Sequence, residues 1–262
     1  MNIAAVLTAA GSGSRLGHSL PKALVPLGGR SLVVHAARNL LAARVTGDQH
    51  VRLLVVTAPP EHVAALADEL ATEFVTELAG PGVDVRVVAG GATRQASVAA
   101  GLAALGVPAP PNPVAGAEHG AGYDDIAVVL VHDAARPLAP PSLIGRVIDA
   151  VLDGHPAVVP GLPVTDTIKR VLPGGPVEPV LATVPRADLR AVQTPQGFAL
   201  ELLQRAHATF ASDADLERTA ASDDAGLVER LGERVWVVAG DERAAKITTP
   251  RDLAVATLLL EA

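Results

Sequence analysis

Ala9-Ala10-Gly11-Ser12-Gly13-Ser14-Arg15-Leu16-Gly17, followed by Pro21-Lys22, reads as a loop built to hold an anion. Glycines in such a stretch let backbone N–H groups close on phosphate oxygens, while Arg15 and Lys22 add fixed positive charge. Two known phosphate fingerprints do not fit. The spacing G-x-G-x-x-x-G is not the dinucleotide pattern, and Lys22, with Ala23 behind it, does not complete a P-loop. A second stretch, Gly90-Gly91-Ala92-Thr93-Arg94-Gln95-Ala96-Ser97, opens a helix whose unpaired N–H donors, with the Ser97 hydroxyl, offer another place for nucleotide groups.

His132-Asp133-Ala134-Ala135-Arg136-Pro137 supplies the hard oxygen ligand, Asp133, that a Mg²⁺ on a triphosphate would want. His132 is one of eight histidines with no metal-ligand spacing between them, and it reads as a structural hydrogen-bonder. Further along come Thr165-Asp166-Thr167-Ile168-Lys169-Arg170, then Arg186, Thr194-Pro195-Gln196 and Lys246-Ile247-Thr248-Thr249-Pro250. Singly, each basic residue here reads as a solvated charge. The chain, however, writes nearly every positive charge as arginine and has lysine only at Lys22, Lys169 and Lys246. Two of those three fall in loops beside expected strand ends, which points to a polyanion site.

Composition narrows the class. A net charge of −7 argues against wrapping nucleic acid or coating an anionic membrane, so a bound anion must meet a local basic site. Zero cysteines exclude disulfide frameworks, thiolate nucleophiles and Cys-based zinc sites. With 49% apolar residues a buried core is expected. The opening residues lack a basic region and Gly11 breaks their apolar run, so a cytoplasmic protein without a signal peptide or membrane span is expected.

Short β-branched runs alternate with helical ones along the chain. Strands are expected at 3–7, 51–56, 83–88, 126–131, 157–159 and 235–238, with helices over 31–43, 60–75, 93–105 and 141–154 between them and a last helix after Pro250. That alternation predicts an α/β domain, a mainly parallel sheet with helices on both faces, whose ligand sits at the carboxyl ends of the strands. The proline- and glycine-rich segment 106–125 reads as a mobile surface insertion. Residues 164–195 read as a β-arm whose apolar alternation needs a cover, for which a twofold partner is the simplest candidate.

From Ala9 to Leu253 the chain carries, in order, AAGSGSRLG with PKAL, GGATRQASV, VHDAARP, VTDTIKR, VQTPQGF, SDDAGLVE and KITTPRDL. On these segments it resembles the 2-C-methyl-D-erythritol 4-phosphate cytidylyltransferase family, whose members activate methylerythritol phosphate with CTP for isoprenoid synthesis. The resemblance implies one Rossmann-like nucleotidyltransferase domain over 1–262, with an arm at about 164–195 used in dimerisation and an insertion at about 106–122. It implies CTP binding by Ala9, Ala10, Gly11, Gly13, Gly91, Ser97 and Ala134, with Arg15 and Lys22 stabilising charge on the α-phosphate. It implies Asp133 beside Mg²⁺ and the second substrate, with Arg136, Thr167 and Thr194 lining that substrate. Lys246 and Arg186 would position its phosphate, Arg186 coming from the neighbouring subunit of a homodimer. Where members commonly carry an acidic residue after the second glycine of the GG segment, this chain has Ala92.

Three other readings stay open at this stage. A cytidylyltransferase for another polyol phosphate, such as ribitol 5-phosphate, would use the same nucleotide loops. A catalytically inactive nucleotide-binding homologue would fit Ala92 and the insertion, although Arg15, Lys22, Asp133 and Lys246 are all present. A dinucleotide-dependent oxidoreductase would need an acid after the second strand, where Thr57-Ala58-Pro59 stands instead.

Overall fold

The computed structural model describes residues 2–11, 21–77, 83–106, 125–214 and 220–261. The first half runs β1 (Asn2–Thr8), β2 (Pro26–Leu27), β3 (Arg30–Ser31), α1 (Leu32–Ala42), β4 (Val51–Ala58), α2 (Val63–Glu77), β5 (Asp84–Ala89) and α3 (Arg94–Leu105). It continues with β6 (Ile126–Asp133), α4 (Pro141–Leu152), β7 (Ala157–Pro163), β8 (Ile168–Val171), β9 (Val180–Val184) and β10 (Arg190–Val192). It ends with β11 (Gln196–Ala199), α5 (Leu200–Thr209), α6 (Asp224–Arg230), β12 (Trp236–Ala239) and α7 (Pro250–Glu261).

The main sheet has the path β5-β4-β1-β6-β11-β7, with β10 and β12 both paired to β7. Its centre is parallel, and β12 also runs parallel to β7, whereas β10 and β11 run antiparallel to their neighbours. The expected parallel strands are present. The antiparallel β11 was not expected, because a four-residue Gln-Gly-Phe-Ala strand has no alternation to reveal it.

β1 shows why this sheet is buried on both faces. Its sequence is apolar from Ile3 to Leu7 without a break, as a central parallel strand requires. Ile3, Ala5 and Leu7 pack with α1, α2 and α4 residues such as Leu40, Leu70 and Ile144. Ala4 and Val6 face the opposite layer, where Val98 and Leu102 of α3 meet Leu203 of α5 and Leu227 of α6. A Cβ added to Gly101 of α3 would lie 2.4 Å from Val6 Cγ1, so only glycine lets this helix settle so closely on the sheet.

β1 has β4 on one side and β6 on the other, so strand order reverses at β1. A crevice at the carboxyl ends of β1 and β6 follows from that reversal, and ligands of open α/β sheets bind there. The expected arm is partly realised. β8 and β9 form a separate antiparallel hairpin, but residues 190–192 return to the main sheet as β10, and Gln193 and Thr194 behind them are buried. The Gln193 amide explains that burial: Nε2 donates to the Asp241 carbonyl and Oε1 accepts from the Asp241 N–H. Of the expected insertion at 106–125, only Gly106 and Asp125 are among the described residues.

Candidate active site

β1 and β6 end side by side, with Thr8 and Asp133 paired in register. The Ala134 N–H donates to the Thr8 carbonyl at 3.1 Å and the Ala9 N–H to the Thr57 carbonyl at 2.8 Å, so both loops start from one edge. The loop after β5 joins them. A Cβ on Gly90 would come within 2.8 Å of Ala10 Cβ and 2.9 Å of Ser97 Oγ, so glycine allows the two glycine-rich segments to touch. Thr93 caps α3, its Oγ1 accepting the Ala96 N–H at 3.0 Å. Ser97 is buried and shapes the loop: its Oγ accepts the Gly91 N–H at 3.1 Å and lies 2.8 Å from the Thr93 carbonyl, to which it donates. The Lys22 N–H donates to the Gly11 carbonyl at 3.4 Å, which brings the start of the Lys22 turn to the first loop. Gly13 and Arg15 lie outside the described residues.

Asp133 is the electrostatic centre of the edge. Its Oδ1 accepts from Arg94 Nε at 3.1 Å and Thr8 Oγ1 at 3.3 Å, and its Oδ2 from Lys246 Nζ at 2.8 Å. Burial opposes ionisation of this carboxyl, but Arg94 and then Lys246 outweigh it and hold the pKa far below the ordinary range. Arg94 bridges to a second buried carboxylate, donating from Nη1 to Asp224 Oδ2 at 2.6 Å. Burial works against its charge too, and the two aspartates more than restore it, raising its pKa. Asp224 Oδ1 in turn receives His207 Nε2 at 2.9 Å.

A second network fixes the other side. The Asp133 N–H donates to Thr194 Oγ1 at 3.1 Å, and that hydroxyl stands 2.8 Å from His132 Nδ1. His132 Nε2 lies 3.2 Å from the Arg136 carbonyl. One proton arrangement satisfies all three contacts: a neutral imidazole donates from Nε2 to the carbonyl and accepts the Thr194 hydroxyl at Nδ1. Burial, with Arg136 and Arg94 adding to it against the pull of Asp133, lowers the His132 pKa to about 4. Arg136 donates to the Ala244 carbonyl at 2.7 Å, and the Ile247 N–H donates to the Ala135 carbonyl at 2.8 Å, so the Lys246 loop is stitched to the β6 loop. Asp252 braces that loop from below, accepting from Thr248 Oγ1 at 2.7 Å and from the Thr248 and Thr249 N–H groups. Those bonds, the Thr248 hydroxyl first, lower its pKa to about 2.

Of the expected site residues, Ala9, Ala10, Gly11, Gly91, Ser97, Asp133, Ala134, Arg136, Thr194 and Lys246 gather on loops that touch or bond at this edge, and Lys22 stands beside them. Thr167 and Arg186 do not join them in the protomer. Both are exposed on the arm, where Arg186 Nη1 donates to the Thr165 carbonyl. Sequence reasoning gave no role to Arg94, Asp224 or His207. A signal for Arg94 existed: a cation in the first turn of a helix opposes the helix dipole and needs a carboxylate to justify it. Among the described residues no three His, Asp or Glu side chains converge as a metal site, and no helix is long and apolar enough to cross a membrane.

An α/β sheet whose strand-end loops bring glycine-rich segments beside fixed cations is suited to hold a nucleotide's phosphates, and the family comparisons make the chain an enzyme of the nucleotidyltransferase class. The family model for 2-C-methyl-D-erythritol 4-phosphate cytidylyltransferase matches residues 3–262. A protein of that name from Streptomyces avermitilis is 46% identical over 260 residues, covering 98% of this chain and 91% of its own. One from Nocardia farcinica is 48% identical, covering 99% and 94%. The crystal structure of the Thermus thermophilus enzyme of that name superposes with a TM-score of 0.68 at 33% identity, covering 100% of both chains. The chain belongs to the 2-C-methyl-D-erythritol 4-phosphate cytidylyltransferase family.

Proposed function

We propose that the edge centred on Asp133 is where a CMP unit passes from CTP to 2-C-methyl-D-erythritol 4-phosphate. The family carries this reaction, which forms 4-diphosphocytidyl-2-C-methyl-D-erythritol and pyrophosphate on the way to isoprenoid precursors. The observation that supports the site is the Lys246–Asp133–Arg94 cluster, preformed at the point where strand order reverses. The chemistry asks for such a cluster. A phosphate monoester is already nucleophilic at neutral pH, so no general base is needed, but two polyanions must be brought together for in-line attack at the α-phosphorus. Fixed cations in a preorganised site supply that.

In this reading Ala9, Ala10, Gly11, Gly13, Gly91, Ser97 and Ala134 form the CTP cradle, and Arg15 and Lys22 stabilise charge on the α-phosphate. Asp133, Arg136, Thr167 and Thr194 surround the second substrate, whose phosphate Lys246 and Arg186 steer. A divalent cation, Mg²⁺, fits the one-carboxylate arrangement, because such an ion is commonly held by one or two carboxylates and the substrate's own phosphates. Asp133 is the carboxylate that would hold it, and Lys246, whose side chain is 41% exposed, is able to swing from Asp133 to a phosphate. The ion, when bound, neutralises charge on the triphosphate. The protein works as one cytoplasmic domain that dimerises through its arm.

The test is pyrophosphate release from CTP and Mg²⁺ with methylerythritol phosphate, ribitol 5-phosphate, erythritol 4-phosphate or no acceptor. Turnover confined to methylerythritol phosphate is expected. Turnover with ribitol phosphate instead would keep the chemistry and overturn the substrate. Arg15→Ala and Lys22→Ala should each lower kcat about a hundredfold, roughly 3 kcal/mol of transition-state stabilisation, without unfolding the protein. Near-normal turnover in either variant removes that residue from the role.

A further inference from the structure

Asp224 has no part in the site as read above, yet of the two carboxylates on Arg94 it is the more deeply buried, 1% exposed against 6% for Asp133. Capping does not account for it. Asp223 already caps α6, accepting the Gly226 N–H at 3.1 Å and the Gln196 amide at 2.7 Å. Both Asp224 oxygens are instead committed to side chains, Oδ2 to Arg94 Nη1 and Oδ1 to His207 Nε2.

The planar guanidinium makes this consequential. Once Nη1 is fixed on Asp224, the direction of Nε is fixed as well, and Nε is the group that holds Asp133 Oδ1. Arg94 sits in the first turn of α3, where the helix dipole repels a cation, so its place depends on the two carboxylates. Lys246 leans on the other oxygen of Asp133. We propose that Asp224 is a positioning residue: it anchors Arg94 from behind, so that Asp133 stays in place when Lys246 turns from it to a substrate phosphate. The consequence for turnover rests on the functional reading above; the mechanical link from Asp224 to Lys246 does not.

The chain's three lysines, Lys22, Lys169 and Lys246, allow a direct test. Reductive methylation with carbon-13 formaldehyde gives each lysine a dimethyl signal in the NMR spectrum, and the Lys246 signal is the one missing in Lys246→Gln. In folded Asp224→Asn, its fold checked by circular dichroism, the Lys246 signal should move while those of Lys22 and Lys169 stay. In the same variant kcat should fall about tenfold with the KM for CTP within about twofold, as expected for a group acting in the transition state. An unmoved Lys246 signal, or all three signals moving together, overturns the proposal. Should Asp224→Asn fail to fold, Arg94→Gln carries the same test without adding a lysine signal, because one amide cannot reproduce the fork that spans two carboxylates. If the wild type releases no pyrophosphate with any acceptor, the functional reading fails, and the lysine spectra still decide the positioning role.

Discussion

His132 is wholly buried between Asp133, Arg136 and Arg94, and it is held neutral. Its pKa of about 4 in the fold, against an ordinary 6.5, means that the unfolded chain takes up a proton across that interval and the folded chain does not. Stability therefore rises with pH through the window and is lost on acidification from 6.5 toward 4, by about 3 kcal/mol from the size of the shift. Asp133 and Asp224 act in a different window. Their depressed pKa values give stability that is complete above the unfolded carboxyl value near 3.8 and is lost only as pH falls below it. Between pH 6.5 and 4.5 the wild type's urea midpoint should fall steadily. His132→Asn should start from a lower midpoint and show a flatter pH dependence, and equal slopes in the two proteins would remove His132 as the source.

At the scale of elements, α3 ties the packing to the chemistry, since its first turn carries Arg94 and Gly101, about two turns on, seats it. Gly101→Val would drive a branched side chain into Val6 and Thr57 of the central strands. Overpacking of this kind costs about 2 kcal/mol, and at roughly 2–4 °C per kcal/mol for a chain of this size the melting temperature should drop by about 4–8 °C. Turnover should fall with it as Arg94 is displaced. Gly106→Ala, where an added Cβ meets nothing within 4 Å among the described residues, is the control and should melt near the wild type. What the sequence revealed of these elements follows from how each is buried. β1, β4 and β6 are covered on both faces through their middles and so carry continuous apolar runs at 3–7, 53–56 and 126–131. β11 buries one large apolar side chain, Phe198, beside the Gln196 amide that bonds to Asp223, so no apolar alternation marks it. The site divides in the same way. Glycine loops and the His-Asp-Ala-Ala-Arg turn are local and legible, whereas Arg94 and Asp224 stand 130 residues apart and meet only when α3 and α6 pack on the same face of the sheet.

For the molecule as a whole, the hairpin leaves an apolar surface exposed. Ile168, Leu172, Val177, Val180 and Leu181 of the β8–β9 hairpin region are 37% to 88% exposed. A two-stranded ribbon with such a surface is marginal alone, and a twofold partner would cover it with the same patch on both sides. Thr167 and Arg186 flank the open end of the hairpin, where Ile168 pairs with Val184, and neither reaches Asp133 of its own chain by a hydrogen bond among the described residues. If the arm serves the neighbouring subunit, two inactive variants should repair each other. In a mixed dimer of Arg186→Ala and Lys22→Ala, one site combines an intact Lys22 with an intact Arg186, and the other has lost both. Random pairing makes half the dimers mixed, with one competent site in each, so co-expressed protein should regain about a quarter of wild-type specific activity. A mixture no more active than its parents would place Arg186 in the service of its own chain, and the arm would then have to fold back toward Lys246 before turnover.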